Sequence, residues 1–140
     1  MTKNRFNDRV AFDPCDDIRA FHEKFELDYN GAAQALSLHL TQFRTKFMEE
    51  ELDEYVVACV VQDLEGQLDA LVDLVYVALG TAYLQGFAFR EAWNRVHAAN
   101  MTKVRAARPA DSKRGSGFDV VKPATWVAPQ LKDLVTPCED

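Results

Sequence analysis

The 140-residue chain contains few of the residues that build disulfide-linked, glycine-rich or β-rich proteins. It has only three cysteines, six glycines and five prolines. Cys15, Cys59 and Cys138 are widely spaced and odd in number, so they show neither a disulfide framework nor the spacing of metal ligands. A reduced, cytoplasmic setting is the simplest interpretation. No stretch alternates apolar and polar residues as a half-buried strand would.

Long hydrophobic runs are also absent. The N-terminus lacks the apolar segment of a secretion signal, and the most apolar stretch, residues 71–84, is interrupted by Asp73. That stretch is shorter than the roughly 20 residues that cross a bilayer. The net charge of −6 and a pI near 5.0 argue against a general nucleic-acid coat or an anionic membrane binder. We therefore expect neither nucleic acid nor membrane as a partner.

The chain contains four helical patterns followed by an irregular, proline-containing tail. An Asp13-Pro14 start, an Asn30-Gly31 turn and Gly86 separate the patterns. The predicted helices cover residues 13–27, 32–61, 63–84 and 89–106. The predicted fold is an all-α, four-helix-bundle-type domain over residues 13–107, with a flexible N-terminus (1–12) and a C-terminal arm (108–140).

The second helix has a hydrophobic stripe that turns acidic in its middle. Its members recur every three or four residues and share one helical face: Leu36, Leu40, Phe43, Phe47, Glu50, Glu54, Val57 and Val61. The two glutamates therefore stand where core residues are expected. A buried, unpaired charge is strongly unfavourable, so a metal ion, a basic side chain or a proton must compensate for it.

The third helix repeats this anomaly. Asp69, Asp73, Tyr76 and Gly80 share one face, so packing the second helix on the third brings four carboxylates together. Oxygen ligands on rigid helices suit a hard cation such as Mg²⁺ or Mn²⁺. The alternative is that these acids form salt bridges with Arg44, Lys46 or the basic residues of the arm.

The fourth helix and the arm carry candidate phosphate ligands. Asn100 and Lys103 could bind a phosphate through an amide and a point charge, although ordinary surface polarity explains them equally well. His97, on the same face as Asn100, is more often a packed core residue than a catalyst. Lys122 and Trp126 could close over a ligand, or the aromatic ring could pack on the bundle.

These pieces, taken in order, resemble the all-α NTP pyrophosphatases. The segment 44–54, RTKFMEEELDE, is similar to their E-E-x-x-E motif, and 69–77, DALVDLVYV, to their second acidic helix. His97-x-x-Asn100-x-x-Lys103 and Lys122-Pro123-x-x-Trp126 resemble the C-terminal part of the phosphoribosyl-ATP pyrophosphohydrolase-like and MazG-like dUTPase branch. The resemblance covers about residues 17–131. It favours the dUTPase-like branch over a role in histidine biosynthesis.

The resemblance implies Mg²⁺- or Mn²⁺-dependent hydrolysis of a nucleoside triphosphate, such as dUTP or dCTP, to the monophosphate and pyrophosphate. It implies an intertwined homodimer or a tetramer. The site residues it implies are the metal ligands Glu50, Glu54, Asp73 and Asp69, the general base Glu51, and the substrate ligands Tyr76, His97, Asn100, Lys103, Lys122 and Trp126.

Two other interpretations stay open, and a departure from the family pattern favours the first of them. The second motif is written E-x-x-D, and its first acid is replaced here by Ala70. Asp69, one residue earlier, is the candidate substitute. A protein that binds nucleotides or phosphate without hydrolysing them is one alternative. A structural helical module whose acids pair with the basic arm is the other.

Overall fold

The computed structural model describes Phe6 and residues 12–136. These residues form four α-helices and a two-stranded sheet: α1 Pro14–Lys24, α2 Leu38–Val60, α3 Leu64–Leu84, α4 Phe89–Asn100, β1 Val104–Arg105 and β2 Val120–Val121. Two short 3₁₀ helices follow β1 and β2, at Pro109–Asp111 and Lys132–Leu134. The predicted all-α class is confirmed, and the small sheet is a feature that sequence patterns did not indicate.

The chain packs as two compact units that divide between Phe87 and Ala88. The first unit contains α1, α2 and α3, and the second contains α4, the sheet and the tail. The predicted arm instead begins at residue 108, and that boundary stays a prediction. Residues 1–12, predicted to be a flexible N-terminus, lie outside the described residues except for Phe6 and Phe12.

Side-chain caps fix the starts of the three helices of the first unit. Asp13 accepts hydrogen bonds from the backbone N–H groups of Cys15 and Asp16, and Pro14 occupies the first turn of α1. Ser37 caps α2 through the N–H of Leu40, and Asp63 caps α3 in the same way. Each oxygen satisfies a donor that the helix itself leaves unpaired.

The second helix begins at Leu38 rather than at Ala32, so that predicted boundary was wrong. The preceding residues are held to the end of α3 instead, because the Gln34 N–H donates to the Gln85 carbonyl at 2.9 Å. Gly86 makes this contact possible. Its φ is +66°, and a Cβ there would lie 2.9 Å from the Ala32 carbonyl oxygen. Tertiary hydrogen bonding therefore overrides the helical tendency of residues 32–37.

The core of the first unit is small and lies mainly between α2 and α3, with α1 against α3. Its buried apolar side chains are Ile18, Ala58, Ala70, Val77, Leu79 and Ala82. Helix α3 has the length and composition of a membrane span, and only 28% of its apolar window is buried within the chain. Core helices of soluble proteins pass the same test, so this observation does not assign α3 to a membrane.

The second unit is organised around α4. This helix ends at Asn100 rather than at the predicted Ala106, because the following residues enter a strand in which Val104 pairs with Val121. The tail then returns to α4. Arg95 donates to both carboxylate oxygens of Asp133, at 2.7 and 3.0 Å, and the indole N–H of Trp126 donates to the Ala99 carbonyl at 2.9 Å.

Candidate active site

The buried face of α2 is rotated by one residue from the predicted stripe. Glu51 and Ala58 are buried, whereas Glu50 and Glu54 are exposed. The expectation that Glu50 and Glu54 face the core was therefore wrong, and Glu51 is the acid that does. Phe47 belongs to both the predicted and the observed stripe, because Glu50 and Glu51 follow it by three and four residues, which is about one helical turn.

Glu51 is the most unusual carboxylate in the first unit. Its side chain lies on the buried face, the residue is 8% exposed, and Oε2 has no hydrogen-bond partner among the described residues. Burial raises the pKa of Glu51, and the charges of Glu54, Asp73, Asp69 and Glu50 raise it further, in that order. A buried acid among like charges favours either a bound proton or a bound cation.

The carboxylates that act on Glu51 are more exposed than it is: Glu50, Glu54 and Asp69 are exposed, and Asp73 is half-buried. Glu50 is exposed, and its Oε1 lies 3.9 Å from the Lys46 ammonium. This is the salt bridge that the alternative interpretation anticipated, although an exposed pair of this kind contributes little to stability. Within the described residues, no three His, Cys, Asp or Glu side chains form a ready metal site.

Their chemistry nevertheless fits a divalent cation. Carboxylate oxygens are the preferred ligands of Mg²⁺ and Mn²⁺. The unpartnered Oε2 of Glu51 is the atom that such an ion would satisfy. Of the other carboxylates, Glu54 and Asp73 act most strongly on Glu51, and Asp73 lines the same cavity.

The position of the missing motif acid lies inside the helix interface. Ala70 is 1% exposed, so a glutamate there would have entered the buried space between the helices. Asp69 is exposed but close enough to raise the pKa of Glu51. It therefore contributes charge near the site without occupying the place of the missing side chain.

A cavity of about 180 Å³ opens beside Glu51, within the first unit. It is lined by residues of α1, α2 and α3: Phe21, His22, Arg44, Phe47, Glu51, Asp73, Tyr76, Val77 and Gly80. The cavity thus combines two acids with several aromatic rings, a combination suited to a ligand with a charged part and a flat apolar part.

Arg44 and Tyr76 line this cavity, and contacts with neighbouring residues hold both side chains in place. Arg44 donates to the Val77 carbonyl at 2.7 Å and to the Thr81 hydroxyl at 3.0 Å, and burial lowers its pKa. Tyr76, predicted to contact a base or sugar, does line the cavity, and its ring packs edge-on against Phe21. Burial and the charge of Asp17 raise the pKa of Tyr76, so it is protonated near neutrality.

The model of the phosphoribosyl-ATP pyrophosphohydrolase family matches residues 18–100, more than half of the chain. The chain belongs to the phosphoribosyl-ATP pyrophosphohydrolase family. It is thereby a member of the MazG-like all-α NTP pyrophosphatase superfamily, as the motifs indicated. No curated protein matches the sequence significantly.

The other predicted ligands of this family member lie in the second unit. Lys122 and Lys103 both approach the face of Trp126, with their ammonium nitrogens 4.4 and 5.7 Å from the ring centroid. The structure therefore brings these three together. His97 and Asn100 are exposed on α4, and no side-chain hydrogen bond in the described part of the chain joins them to these three residues. Their roles in substrate binding stay predictions.

Sequence reasoning missed several residues of the cavity in this pyrophosphohydrolase-family chain. Phe21 and His22 were not among the predicted site residues, and Arg44 was considered only as a salt-bridge partner. A signal for His22 was available, because it follows Ile18 by four residues on the inner face of α1. Both are buried in the structure. A polar ring on an otherwise apolar helical face could have identified that end of the cavity.

Proposed function

We propose that the protein is a divalent-cation-dependent pyrophosphohydrolase that converts a nucleoside triphosphate to the monophosphate and pyrophosphate. The carrying observation is the unpartnered, buried Oε2 of Glu51 at the edge of a cavity lined by aromatic rings. Family membership supports pyrophosphohydrolase chemistry on nucleotide-like substrates.

In this proposal Glu51, Glu54 and Asp73 hold the cation. A bound Mg²⁺ would neutralise phosphate charge and make water more acidic. The chain itself contributes an anionic pocket that binds the ion, rings that position the organic part of the substrate, and a carboxylate able to accept a proton from water. Water attacks the α-phosphorus, the bond from that atom to the bridging oxygen breaks, and pyrophosphate leaves with the electron pair.

The proton acceptor is assigned differently by the motif and by the geometry. The resemblance makes Glu51 the base and Glu50 a ligand, whereas burial favours Glu51 as the ligand and leaves exposed Glu50 to accept the proton. The variant Glu50→Gln separates these schemes. A loss of Mn²⁺ affinity, measured by titration, supports Glu50 as a ligand, while retained affinity with slow turnover supports Glu50 as the base.

The defining experiment is a product assay. The protein is incubated with each common NTP and dNTP, and with phosphoribosyl-ATP, in Mg²⁺ and in chelator, and the products are separated by chromatography. Monophosphate and pyrophosphate that form only with Mg²⁺ support the proposal, and dUTP and dCTP are the expected best substrates. Hydrolysis of phosphoribosyl-ATP alone, which itself carries a triphosphate, would refute the assignment to dUTP and dCTP.

The second candidate function is nucleotide binding without hydrolysis. It is favoured by Ala70, because the site has one carboxylate fewer than the family motif supplies. Cation-dependent nucleotide binding with no product after long incubation would select this candidate. Replacing Ala70 with Glu would then test whether the missing acid restores turnover.

We also propose that the chain forms a homodimer or a tetramer through α2 and α3. The apolar residues of the predicted stripe are uncovered, with Phe43 55%, Val57 62% and Val61 66% exposed. Leu68, Leu71, Val72 and Val75 of α3 are exposed too. A stable interface typically buries about 800 Å² on each partner. Light scattering on the purified protein tests this, and Val57→Asp should shift the mass towards the monomer.

A further inference from the structure

The charge of the chain is divided unequally between its two units. Residues 1–87 contain seven Lys and Arg against sixteen Asp and Glu, whereas residues 88–140 contain nine Lys and Arg against six Asp and Glu. The net charge of −6 therefore conceals a second unit that is basic. The argument from net charge against a nucleic-acid partner applies to the first unit and not to the second.

Three basic side chains of the second unit share one face of the two-stranded sheet. Arg105 pairs with Val120 in the antiparallel register. Side chains alternate between the two faces of a strand, and directly opposite residues point to the same face. Lys103 and Lys122 each lie two residues away from this pair, in the same register, so they belong to the face that carries Arg105.

These three cations have no counter-ion in the described part of the chain. Elsewhere in the unit, arginines are paired with aspartates, at 2.7 Å for Arg95 and 2.9 Å for Arg114. No salt bridge among the described residues involves Lys103, Arg105 or Lys122. Like charges gathered without a counter-ion repel one another, so this face favours a bound anion.

Aromatic rings lie at both ends of this basic face. At one end, the ammonium nitrogens of Lys122 and Lys103 lie 4.4 and 5.7 Å from the ring centroid of Trp126. At the other end, the guanidinium of Arg105 lies 5.8 Å from the ring centroid of Phe118. Phe118 is 96% exposed, so a large apolar ring stands in water beside a cation and is available for stacking.

We propose that this face of the second unit binds a segment of single-stranded nucleic acid. The three cations contact phosphates, and bases stack on Phe118 and Trp126. Every base has a π-face, so stacking of this kind tolerates any sequence. The proposal does not depend on hydrolysis, because the proposed active site lies in the first unit.

The pairing of cations with rings favours this occupant over three others. An acidic protein segment would satisfy the cations but has no need of the two rings. A single nucleotide carries one base, whereas the face offers a ring at each end. The bases of a duplex are already stacked on one another and cannot reach the rings.

The direct test follows the fluorescence anisotropy of a labelled oligo-dT as the full chain is added. The oligonucleotide has about 12 nucleotides, within the range of single-strand site sizes, and chelator prevents cation-dependent hydrolysis. We expect saturable binding whose affinity falls with salt, with a log–log slope of about −2 for three phosphate contacts. Absence of binding, or equal binding of a duplex of the same length, would overturn the proposal.

Two competitors distinguish the other occupants. A poly-glutamate peptide of equal charge, or dTTP at equal molar concentration, should displace the labelled strand far less well than unlabelled oligo-dT does. Equal displacement by the peptide would assign the face to an acidic protein. Equal displacement by dTTP would assign it to a mononucleotide. Either result refutes the proposal.

Two variants with matched controls address the rings and the cations separately. Phe118→Ala should weaken oligo-dT binding by about tenfold and leave the salt slope unchanged, with exposed Val135→Ala as its control. Lys122→Ala should reduce the salt slope by about 0.7, with Lys132→Ala, on the second 3₁₀ helix, as its control. Equal effects of variant and control in either pair would contradict the assignment.

The variant Glu51→Gln separates this inference from the proposed function. It should bind oligo-dT with unchanged affinity, because Glu51 belongs to the other unit. Loss of oligo-dT binding in this variant would place the strand in the active site and overturn the inference. A protein that hydrolyses triphosphates but binds no oligonucleotide refutes this inference alone, and one that binds oligo-dT without hydrolysing any nucleotide refutes only the hydrolase.

Discussion

The two units of the chain differ in how their charged side chains are paired. In the second unit, several charged side chains are paired at short distances. Arg95 lies 2.7 Å from Asp133, and Arg114 lies 2.9 Å from Asp119. These bonds hold the tail to α4 and close the loop before β2. In the second unit, these charged side chains therefore stabilise the fold.

In the first unit, Glu51 and Arg44 have no ion-pair partner among the described residues, although exposed pairs such as Lys46–Glu50 occur there too. Glu51 has a buried oxygen with no partner among the described residues, and four neighbouring carboxylates oppose its ionisation. Arg44 is held by a hydroxyl and a carbonyl rather than by an acid. Perturbed, unpaired charges of this kind concentrate at functional sites. The difference supports the proposal that a cation and a polar ligand bind in the first unit.

The largest expected effect on activity comes from removing the unpaired charge of Glu51. Glu51→Gln should lower kcat by about 10²–10⁴-fold, the range associated with a lost acid–base group, whether Glu51 acts as ligand or base. The fold should persist, because the substitution removes a charge that burial opposes. Pyrophosphate release measures turnover, with Glu49→Gln on the exposed side of α2 as the control. Full activity in folded Glu51→Gln would contradict the proposal that the unpaired charge of the first unit belongs to the active site.

Addition of Mg²⁺ should raise the melting temperature of the unaltered protein. An ion that binds only the native state stabilises it by about 2.7 kcal/mol when its concentration is 100 times its Kd. Glu51→Gln should lose most of this shift. Thermal unfolding with Mg²⁺ and with chelator measures both proteins. If Mg²⁺ does not stabilise the unaltered protein, the acids form a structural module instead.

In the second unit, Arg95→Lys should lower the melting temperature by a few degrees and leave Mg²⁺ stabilisation intact. Lysine keeps the charge but cannot bond both Asp133 oxygens, the Gln130 carbonyl and Glu91 together. The control is Arg108→Lys. Its side chain is 75% exposed against 31% for Arg95, so it should have almost no effect. Equal effects of the two substitutions would contradict this account.

The smallest expected effect is a dependence of stability on acid pH. The Ser112 hydroxyl, which donates to Asp119 at 2.6 Å, holds the pKa of that carboxyl below its ordinary value, and Arg114 lowers it further. A lowered folded pKa stabilises the protein above the unfolded pKa, and that contribution disappears as pH falls through the folded value. The melting-temperature difference between the unaltered protein and Asp119→Asn should therefore shrink below about pH 4. A melting-temperature difference that grows as the pH falls would contradict this prediction.

Sequence patterns predicted the helices better than the faces those helices bury. The caps Asp13 and Asp63 mark the starts of α1 and α3 where expected, because capping is a local interaction. The predicted starting point of α2 failed, because Gln34 bonds to Gln85 far along the chain. The sequence pattern placed the buried acid at Glu50, whereas the structure buries Glu51. The two positions differ by one step of the helix, and only contact with α3 decides which of them faces inward.

By itself, the sequence determined the all-α class, the acidic segment 49–54 and the family of pyrophosphohydrolases, since helical periodicity and motif spacing are local properties of the chain. Only the tertiary structure decided that Glu51 is the buried carboxylate and that Ala70 fills the interface. It also assembled the cavity, because His22, Arg44 and Gly80 come from three helices. Packing alone brings such residues together, and no spacing along one helix reports their meeting.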